Sequence, residues 1–381
     1  MNSIYLDNAA TTPLNEQVYN KMLSVSHIYG NPSSIYQTGR EARKLIDESR
    51  ETVAKLLNAD VSEIYFTSGG TEADNWAVAG TALLQKNGHI ITSSIEHHAV
   101  LNTCKQLEYL GFDATYLPVD KFGIVSADEL KQAVRKDTCL ASVMYANNEI
   151  GTLQDISLLA KTAHEHGVLF HTDAVQAAGH MPLDVKALGV DMLSISAHKF
   201  GGPKGVGALY IKKGIKILNL ISGGAQERGR RAGTENPTGI AGLAEALKIA
   251  NNSIEQKAKE LAEKRDSFEE DLFNLIPNIK LNGSKDSRLP NITNITIKDA
   301  PAEALLMRLD KCGIAASAGS ACTSGSIEPS HVLMAIGLSE KEAKQSIRLS
   351  LSNDTTEEQL KSAAGIIAQQ VKELRSIRIK Q

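Results

Sequence analysis

The chain has 381 residues, enough to bury a sizeable core divided between two domains. Its 44 acidic and 41 basic side chains give a formal net charge of −3, which argues against a general nucleic-acid or membrane-surface binder. Without a secretory signal, a membrane-length apolar stretch or a C-x-x-C pair among its four cysteines, we expect a cytoplasmic protein with reduced thiols.

Helical and strand patterns alternate through most of the chain. In chain order they predict a helix over 35–57, a strand over 64–66, a helix over 71–85, a strand over 89–92, a helix over 97–110 and a strand over 114–117. Next come a helix from a capping box at 126–129 to about 134, a strand over 140–145, a helix over 156–166, and strands over 168–172 and 192–196. Repeated strand–helix units predict an α/β fold with a largely parallel sheet and helices on both faces.

A different pattern begins after Pro237. A long helical pattern runs from there towards Ile276. Beyond it we predict strands over 292–297 and 347–351, a helix over 302–311 and a final helix capped at 355–358. We interpret this part as a smaller α+β domain.

Two of the predicted strands end in residues that carry chemistry. Asp173 follows the strand at 168–172, and Lys199 comes just after the strand at 192–196. The carboxyl ends of parallel strands face the ligand crevice of an open sheet, so this pattern aims an acid and an amine at one pocket. An amine can form an imine with an aldehyde cofactor while a carboxylate keeps a ring nitrogen protonated, as pyridoxal 5'-phosphate (PLP) requires. A surface lysine and a strand-end aspartate that never meet fit the two strands equally well.

Two further motifs come directly after strands. Glycines and free N–H groups in Ser-Gly-Gly-Thr-Glu, at 68–72, favour one compact phosphate, although a tight turn with a helix cap explains the same run. His97 can stack on a flat ring or exchange protons near neutral pH, whereas a structural histidine is the simpler alternative. Its neighbour His98 is adjacent rather than four residues away, so we expect no metal pair here.

Two loops have an unusual composition. Residues 223–234 are rich in glycine and arginine and fit a phosphate site, a subunit interface or a solvated basic turn. Residues 317–326 are small and surround Cys322, which predicts a mobile, exposed loop whose thiol reaches into a pocket and carries an atom out. A small-residue turn with an incidental cysteine is the alternative.

Taken together, the motifs resemble those of one family. They are, in order, Thr-Ser-Gly-Gly-Thr-Glu, Glu-His-His, Asn-Asn-Glu-Ile-Gly, Asp-Ala-Val-Gln, Ser-Ala-His-Lys and Gly-Ser-Ala-Cys-Thr-Ser. With them the chain resembles, over essentially its whole length, the NifS/IscS-type cysteine desulfurases, class V members of the fold-type I PLP enzymes. The resemblance implies a large PLP-binding domain over 13–255 with a mostly parallel seven-stranded sheet. It also implies a smaller α+β domain formed by 1–12 and 256–381, which carries the cysteine loop at about 317–330.

The resemblance further implies how the cofactor is held. Lys199 would bind PLP covalently, Asp173 would hold the pyridine nitrogen, and Gln176 would contact the ring hydroxyl. His97 would stack on the ring and take part in catalysis. The phosphate would be bound by Gly70, Thr71, Ser196 and His198, with Thr234 contributed by the second subunit of a homodimer.

The reaction implied by the resemblance converts L-cysteine to L-alanine and transfers the sulfur to Cys322 as a persulfide. Asn148 and Arg348 would bind the substrate, Arg348 through two hydrogen bonds to its carboxylate. Delivery would be to iron–sulfur cluster assembly or to tRNA thiolation. The sequence stops soon after Leu374, without the extension by which housekeeping iron–sulfur members engage their scaffold, so the acceptor protein stays open. Transient ligation of an iron–sulfur cluster by Cys322 stays open as well; otherwise we expect no metal.

Two kinds of alternative remain open. A selenocysteine lyase, an aminotransferase or another class V PLP enzyme on the same fold needs Lys199 but not Cys322. A sulfur-delivery or scaffold adaptor with a vestigial cofactor site belongs to a different class of protein. We expect neither a direct nucleic-acid partner nor a membrane partner.

Overall fold

The computed structural model describes residues 3–85, 88–319 and 328–378, with the side chains of its last helix up to Ser376. Its strands are β1 (Ile4–Tyr5), β2 (Ile64–Thr67), β3 (His89–Ser93), β4 (Asp113–Leu117), β5 (Thr138–Ser142), β6 (Leu169–Asp173), β7 (Met192–Ser196), β8 (Gly207–Ile211), β9 (Ile279–Leu281), β10 (Ile292–Ile297), β11 (Ile314–Ala315) and β12 (Ser346–Ser350). Its helices are α1 (Glu16–Val25), α2 (Gln37–Leu56), α3 (Gly70–Ala82), α4 (His98–Tyr109), α5 (Ala127–Ala133), α6 (Ile156–Glu165), α7 (Val185–Leu188), α8 (Gln226–Gly229), α9 (Pro237–Asn251), α10 (Ile254–Leu275), α11 (Ala302–Lys311), α12 (His331–Ala335), α13 (Glu340–Ala343) and α14 (Glu357–Arg378). Short 3-10 turns lie at Val61–Glu63 and Ala197–Lys199.

The central sheet has the strand order β2-β8-β7-β6-β5-β3-β4 within the described residues. Neighbouring strands from β7 through β4 in this order pair in parallel. The exception is β8, which runs antiparallel to both β2 and β7. Every residue of β7 is buried, as expected for a strand covered by helices on both faces. The mostly parallel, seven-stranded sheet expected from the sequence and the resemblance is therefore confirmed.

This topology brings four chain segments to one edge of the sheet. Because β2, β3, β6 and β7 run in the same direction, their carboxyl ends lie together. In chain order, the strands lead into the start of α3, the turn before α4, the segment after Asp173 and the 3-10 turn that contains Lys199. An open α/β sheet binds ligands at this edge.

A second group of strands uses the last third of the chain together with its N-terminal residues. In it β12, β10 and β9 form an antiparallel sheet, while β1 pairs with β11 in parallel. A separate apolar cluster joins Ile4 and Leu6 to buried side chains between Leu261 and Val371. This cluster agrees with the small domain predicted over 1–12 and 256–381, whose boundaries stay a prediction.

The structure divides the long helical pattern after Pro237 into two helices. Between α9 and α10 stands Ser253, with a φ of 55°. A non-glycine residue in this left-handed region cannot continue a right-handed helix, so the chain turns there. The strand predicted over 140–145 also lies earlier, at Thr138–Ser142. No helix in the described part of the chain is long and apolar enough to cross a membrane.

Candidate active site

A cavity of about 200 Å³ opens at the carboxyl edge of the central sheet. Its lining residues are Ala9, Ala10, Gly70, Thr71, Asp74, His97, Met144, Asn148, Asp173, Val175, Gln176, Ser196, His198, Lys199 and Arg348. Every predicted site residue except Thr234 and Cys322 is among them. Cys322 itself lies outside the described residues.

Lys199 is held by the N-terminal segment of the chain. Its Nζ donates hydrogen bonds to the carbonyl oxygens of Ala9, at 2.7 Å, and Ala10, at 2.8 Å. The same Ala9 carbonyl accepts a hydrogen bond of 2.8 Å from Gln176 Nε2. Nearby, His198 Nδ1 lies 3.1 Å from the hydroxyl of Thr11. The segment after β1 therefore closes one side of the cavity and orients the amine, a contribution that the strand pattern did not reveal.

Asp173 sits at the end of β6 and is only 5% exposed. One carboxyl oxygen accepts the backbone N–H of Val175 at 2.8 Å. Burial raises the pKa of Asp173 to about 6, although the Val175 N–H and the charge of Lys199 both act to lower it. The acid and the amine thus meet in one cavity, and the alternative in which they never meet is wrong.

His97 caps α4 and lines the same cavity. Its Nδ1 accepts the backbone N–H of Ala99 at 3.1 Å, which assigns the ring proton to Nε2 in the neutral form. Burial lowers its pKa to about 4, and the charge of Lys199 acts in the same direction. His97 is therefore neutral near pH 7, which suits a flat ring that stacks and donates a hydrogen bond through Nε2 rather than a fixed positive charge.

The N-terminus of α3 is shaped to receive a compact anion. Gly69 has a φ of 155°, and a Cβ built on Gly70 would come within 2.6 Å of the Val175 side chain. The first N–H groups of a helix have no intrahelical acceptor, and here they lie beside the hydroxyls of Thr71 and Ser196 in the cavity lining. A side chain at position 70 would clash with Val175, so the backbone here can approach the cavity only as glycine. This donor set fits the phosphate of PLP.

Arg348 forms the opposite wall and is 1% exposed. Its Nη1 donates to the carbonyl oxygen of Asn148 at 2.8 Å, and its Nη2 donates to Asp7 Oδ1 at 2.7 Å. Its Nε is buried and has no hydrogen-bond partner among the described residues. A buried guanidinium with a spare donor at a cavity wall is suited to a carboxylate ligand.

The sequence reasoning missed an acid at the back of this cavity. Asp74 lies one helical turn after Gly70 on α3 and is 1% exposed. The i, i+4 spacing from a phosphate-loop glycine is a signal that could have placed it on the cavity side of the helix. The hydrophobic pattern alone hides it, because α3 is buried on most of its surface.

Thr234 is exposed and does not line the cavity of its own chain. Its loop is fixed by a buried ion pair in which two Arg50 nitrogens donate to Glu227, at 2.7 and 2.8 Å. Arg231 donates twice to Glu72, in the first turn of α3, at 2.8 and 2.9 Å. The loop thus approaches the anion site from outside, and the cross-subunit role of Thr234 stays a prediction.

The described ends of the predicted cysteine loop converge beside the cavity. Ser317 exchanges backbone hydrogen bonds with Arg348, at 2.7 and 3.2 Å. At the other end, Ser330 donates to Glu149 at 2.6 Å, and a Cβ built on Gly319 would lie 2.6 Å from the same carboxylate. The loop therefore starts and ends next to the two predicted substrate residues.

Comparison with known proteins agrees with this geometry. The family model for Aminotransferase class-V matches residues 4–362. The chain belongs to this family. The resemblance found in the sequence is thereby confirmed at the level of the family.

Individual relatives of this class V chain have names that are more specific than that of the family. It is 51% identical to the Cysteine desulfurase IscS of Methanosarcina thermophila over 98% of this chain and 93% of that protein. It is 49% identical to the Putative cysteine desulfurase IscS 1 of Bacillus subtilis, over 98% of this chain and all of the relative. Among solved structures, a NifS-like protein superposes with a TM-score of 0.91 at 38% identity, covering 96% of this chain and 98% of that one. A structure described as SspA in complex with cysteine has a TM-score of 0.82 at 39% identity, with 92% and 99% of the chains covered.

Proposed function

We propose that this class V enzyme is a PLP-dependent cysteine desulfurase, which converts L-cysteine to L-alanine and passes the sulfur to Cys322. The observation that carries the proposal is the meeting of Lys199, Asp173 and Arg348 in one cavity. The relatives named cysteine desulfurase, about half identical over nearly the whole chain, supply the substrate.

Several cavity residues would hold the cofactor. Lys199 would bind it covalently, Asp173 would receive the pyridine nitrogen and Gln176 the ring hydroxyl. His97, neutral and capped in place, would stack on the ring. The phosphate would be bound by Gly70, Thr71, Ser196 and His198, together with Thr234 of a second subunit. When bound, PLP supplies an electron sink that weakens bonds at the substrate's α and β carbons.

The substrate would be oriented from the opposite wall. Arg348 has a spare buried donor for the α-carboxylate, and the Asn148 side chain lines the cavity beside it. Lys199 can move protons at the substrate, since its Nζ lies in the cavity wall, where it donates to two carbonyl oxygens. His97, with its ring proton on Nε2, can donate a hydrogen bond to a group in the cavity.

The sulfur transfer would balance as a substitution at sulfur. The Cys322 thiolate attacks the substrate sulfur, an S–S bond forms, and the carbon–sulfur bond of the substrate breaks. The electron pair of that bond stays with the carbon, which takes up a proton, and alanine leaves. No external oxidant is needed, because the transferred sulfur is oxidised by two electrons and the substrate carbon is reduced by the same two electrons.

Three features of the setting belong to the proposal as well. A homodimer would complete each phosphate site with Thr234. The persulfide would be delivered to a sulfur-acceptor protein of iron–sulfur cluster assembly or tRNA thiolation. The cytoplasm suits this chemistry because thiols stay reduced there and Cys322 must be available as a thiolate.

The test is incubation of the purified protein with L-cysteine, with measurement of alanine, sulfide and visible absorbance. Equal amounts of alanine and transferred sulfur are expected, together with an absorbance band from bound PLP. A colourless protein would favour the adaptor with a vestigial site. Turnover restricted to selenocysteine would favour a lyase, and transfer of the amino group to a keto acid would favour an aminotransferase.

A further inference from the structure

Asp74 is an ionisable side chain that the proposed mechanism does not use. It projects from α3 into the back of the cavity and is 1% exposed. Its Oδ1 is buried and accepts no hydrogen bond from the residues that the structure describes. A buried, unsatisfied carboxyl oxygen is costly, so its presence at a ligand site calls for a physical reason.

The immediate neighbour of Asp74 is Asp173, the acid predicted to meet the pyridine nitrogen. The two carboxyl groups lie within side-chain hydrogen-bonding reach of each other, and the Ser194 hydroxyl lies within reach of Asp74 as well. Burial, followed by the charge of Asp173, raises the pKa of Asp74 well above its usual range. Two carboxylates this close in a low-dielectric site cannot both ionise at moderate pH.

The other groups around the pair do not neutralise it. His171 Nε2 lies 3.7 Å from Asp74 Oδ1, but its two ring nitrogens contact the hydroxyls of Ser142, at 2.8 Å, and Ser194, at 3.0 Å. Burial lowers the pKa of His171 to about 3, so the ring is neutral. Glu96, from the turn before α4, accepts N–H bonds from Met144 and has its pKa raised to about 8 by burial. The charge of Lys199 acts on Asp173 and lowers its pKa.

We infer that Asp74 and Asp173 share one proton and present a single negative charge to the pyridine nitrogen of the cofactor. In this arrangement Asp74 is a positioning residue. Its acid proton occupies one oxygen of Asp173 and its own bulk fixes the carboxylate plane, while the Val175 N–H holds Asp173 from the other side. One negative charge matches one pyridinium. The inference rests on the proposed function and its cofactor. It adds that Asp74 sets the charge of Asp173, the partner of the pyridine nitrogen.

The substitution Asp74→Asn tests whether position 74 carries a titratable proton. An amide donates a hydrogen bond as the acid does and has nearly the same shape, but it cannot ionise. We expect PLP affinity within about threefold of the wild type for Asp74→Asn and at least about tenfold weaker for Asp74→Ala, because a buried hydrogen bond is lost. The matched control is Asp184→Asn, at a half-buried aspartate that caps α7.

Two readouts do not depend on turnover. In the purified full-length protein at pH 7, the infrared carbonyl band of protonated carboxyl groups should be weaker in Asp74→Asn than in the wild type by the share of one carboxyl, while the share of Glu96 remains in both. Urea unfolding supplies the second. The folded pair holds a proton that the unfolded chain releases, so the pair's contribution to wild-type stability falls as pH rises above about 4. Relative to the wild type, Asp74→Asn should gain up to about tenfold in its folding equilibrium per pH unit between pH 5 and 8. Asp184→Asn should show the wild-type slope in this range.

Equal pH slopes for the wild type and Asp74→Asn, with protonated-carboxyl bands of equal intensity, would overturn the shared proton. A wild-type protein that binds no PLP and makes no alanine would instead overturn the proposed function, since neither the infrared nor the unfolding comparison needs turnover. If Asp74→Ala does not fold, the near-isosteric Asp74→Asn still decides the matter.

Discussion

Arg348 and Asp7 form an ion pair in which Nη2 and Oδ1 lie 2.7 Å apart, although 341 residues separate them in sequence. The pair holds the guanidinium in the cavity lining, while Nε has no hydrogen-bond partner within the described part of the chain. A substrate carboxylate would join an arginine that already has one anionic partner. Asp7 therefore orients the guanidinium of Arg348 and also competes with the substrate carboxylate for its N–H donors.

Arg348→Lys is the direct test of this grip. Lysine keeps the charge but loses the flat pair of donors, so we expect kcat/KM for L-cysteine to fall about 100-fold, mainly through KM. The cofactor absorbance should not change. Asp7→Asn, which keeps an acceptor for Nη2, is the control and should change KM by less than about fivefold. An Arg348→Lys enzyme with an ordinary KM would rule out carboxylate binding by this residue.

Lys199→Ala should abolish the visible band of the lysine-bound cofactor, or leave only a substrate-derived band, and should stop alanine formation. An unchanged spectrum in this variant would exclude Lys199 as the attachment point.

Asp173→Ala should keep part of the cofactor but lose the charge that maintains the electron sink. We expect its kcat to fall about 100- to 1000-fold, as for other preorganised charges. Absorbance spectra and steady-state rates check both variants.

Cys322→Ser should still bind PLP and cysteine, yet form no protein persulfide and little alanine. The matched controls are Cys104→Ser and Cys139→Ser. Burial raises the pKa of Cys104 to about 12 and that of Cys139 to about 11, so neither thiol is a useful nucleophile near pH 7. Mass spectrometry after cysteine treatment should find the added sulfur on Cys322. Alanine formation at near the wild-type rate in Cys322→Ser would point to a lyase instead.

Mixed subunits test the contribution of Thr234 across a dimer. In a dimer of Lys199→Ala and Thr234→Ala subunits, one site carries both defects and the other carries neither, if Thr234 serves its partner. Mixing two inactive proteins should therefore restore up to half of the activity per dimer. Each variant alone, taken through the same unfolding and refolding, is the control. A fully active monomer in sedimentation would contradict the shared site.

His171, a buried histidine on β6, leads to a prediction about acid stability. Because burial lowers the pKa of His171 to about 3, the folded protein binds fewer protons here than the unfolded chain does between pH 3 and 6.5. Stability contributed by the neutral ring is present above pH 6.5 and is lost as the pH falls. In urea unfolding, His171→Gln should lose less stability than the wild type between pH 6.5 and 4.5. The exposed His27→Gln should follow the wild-type curve, and identical slopes for all three would refute the assignment.

Sequence reasoning succeeded where function leaves a local pattern. The strands that end at Asp173 and Ser196 are short apolar runs with polar residues directly after them, and both were predicted to within one residue. The helix after Gly70 was also predicted, because glycines and a threonine mark its start. These segments are placed by local propensity and by the direction of parallel strands, which the sequence carries in full.

Contacts between distant segments could not be predicted in the same way. The residues of β8 gave no clear signal, yet this strand fills the gap between β2 and β7 in the sheet. The Ala9 and Ala10 carbonyls reach Lys199 through backbone geometry, which residue type does not encode. The meeting of Asp74 with Asp173 depends on how α3 rotates against β6. Such packing is decided by tertiary contacts rather than by periodicity.

The position of Gly319 limits how far the Cys322 thiol can be from the cavity. Cys322 is three residues beyond Gly319, which lies against Glu149 beside the cavity. Three fully extended residues span at most about 11 Å. Because of that limit, the Cys322 thiol cannot lie on a distant face of the molecule. A protein that accepts sulfur from Cys322 would have to reach the surface near the mouth of the site, and several acceptors would compete for that small area.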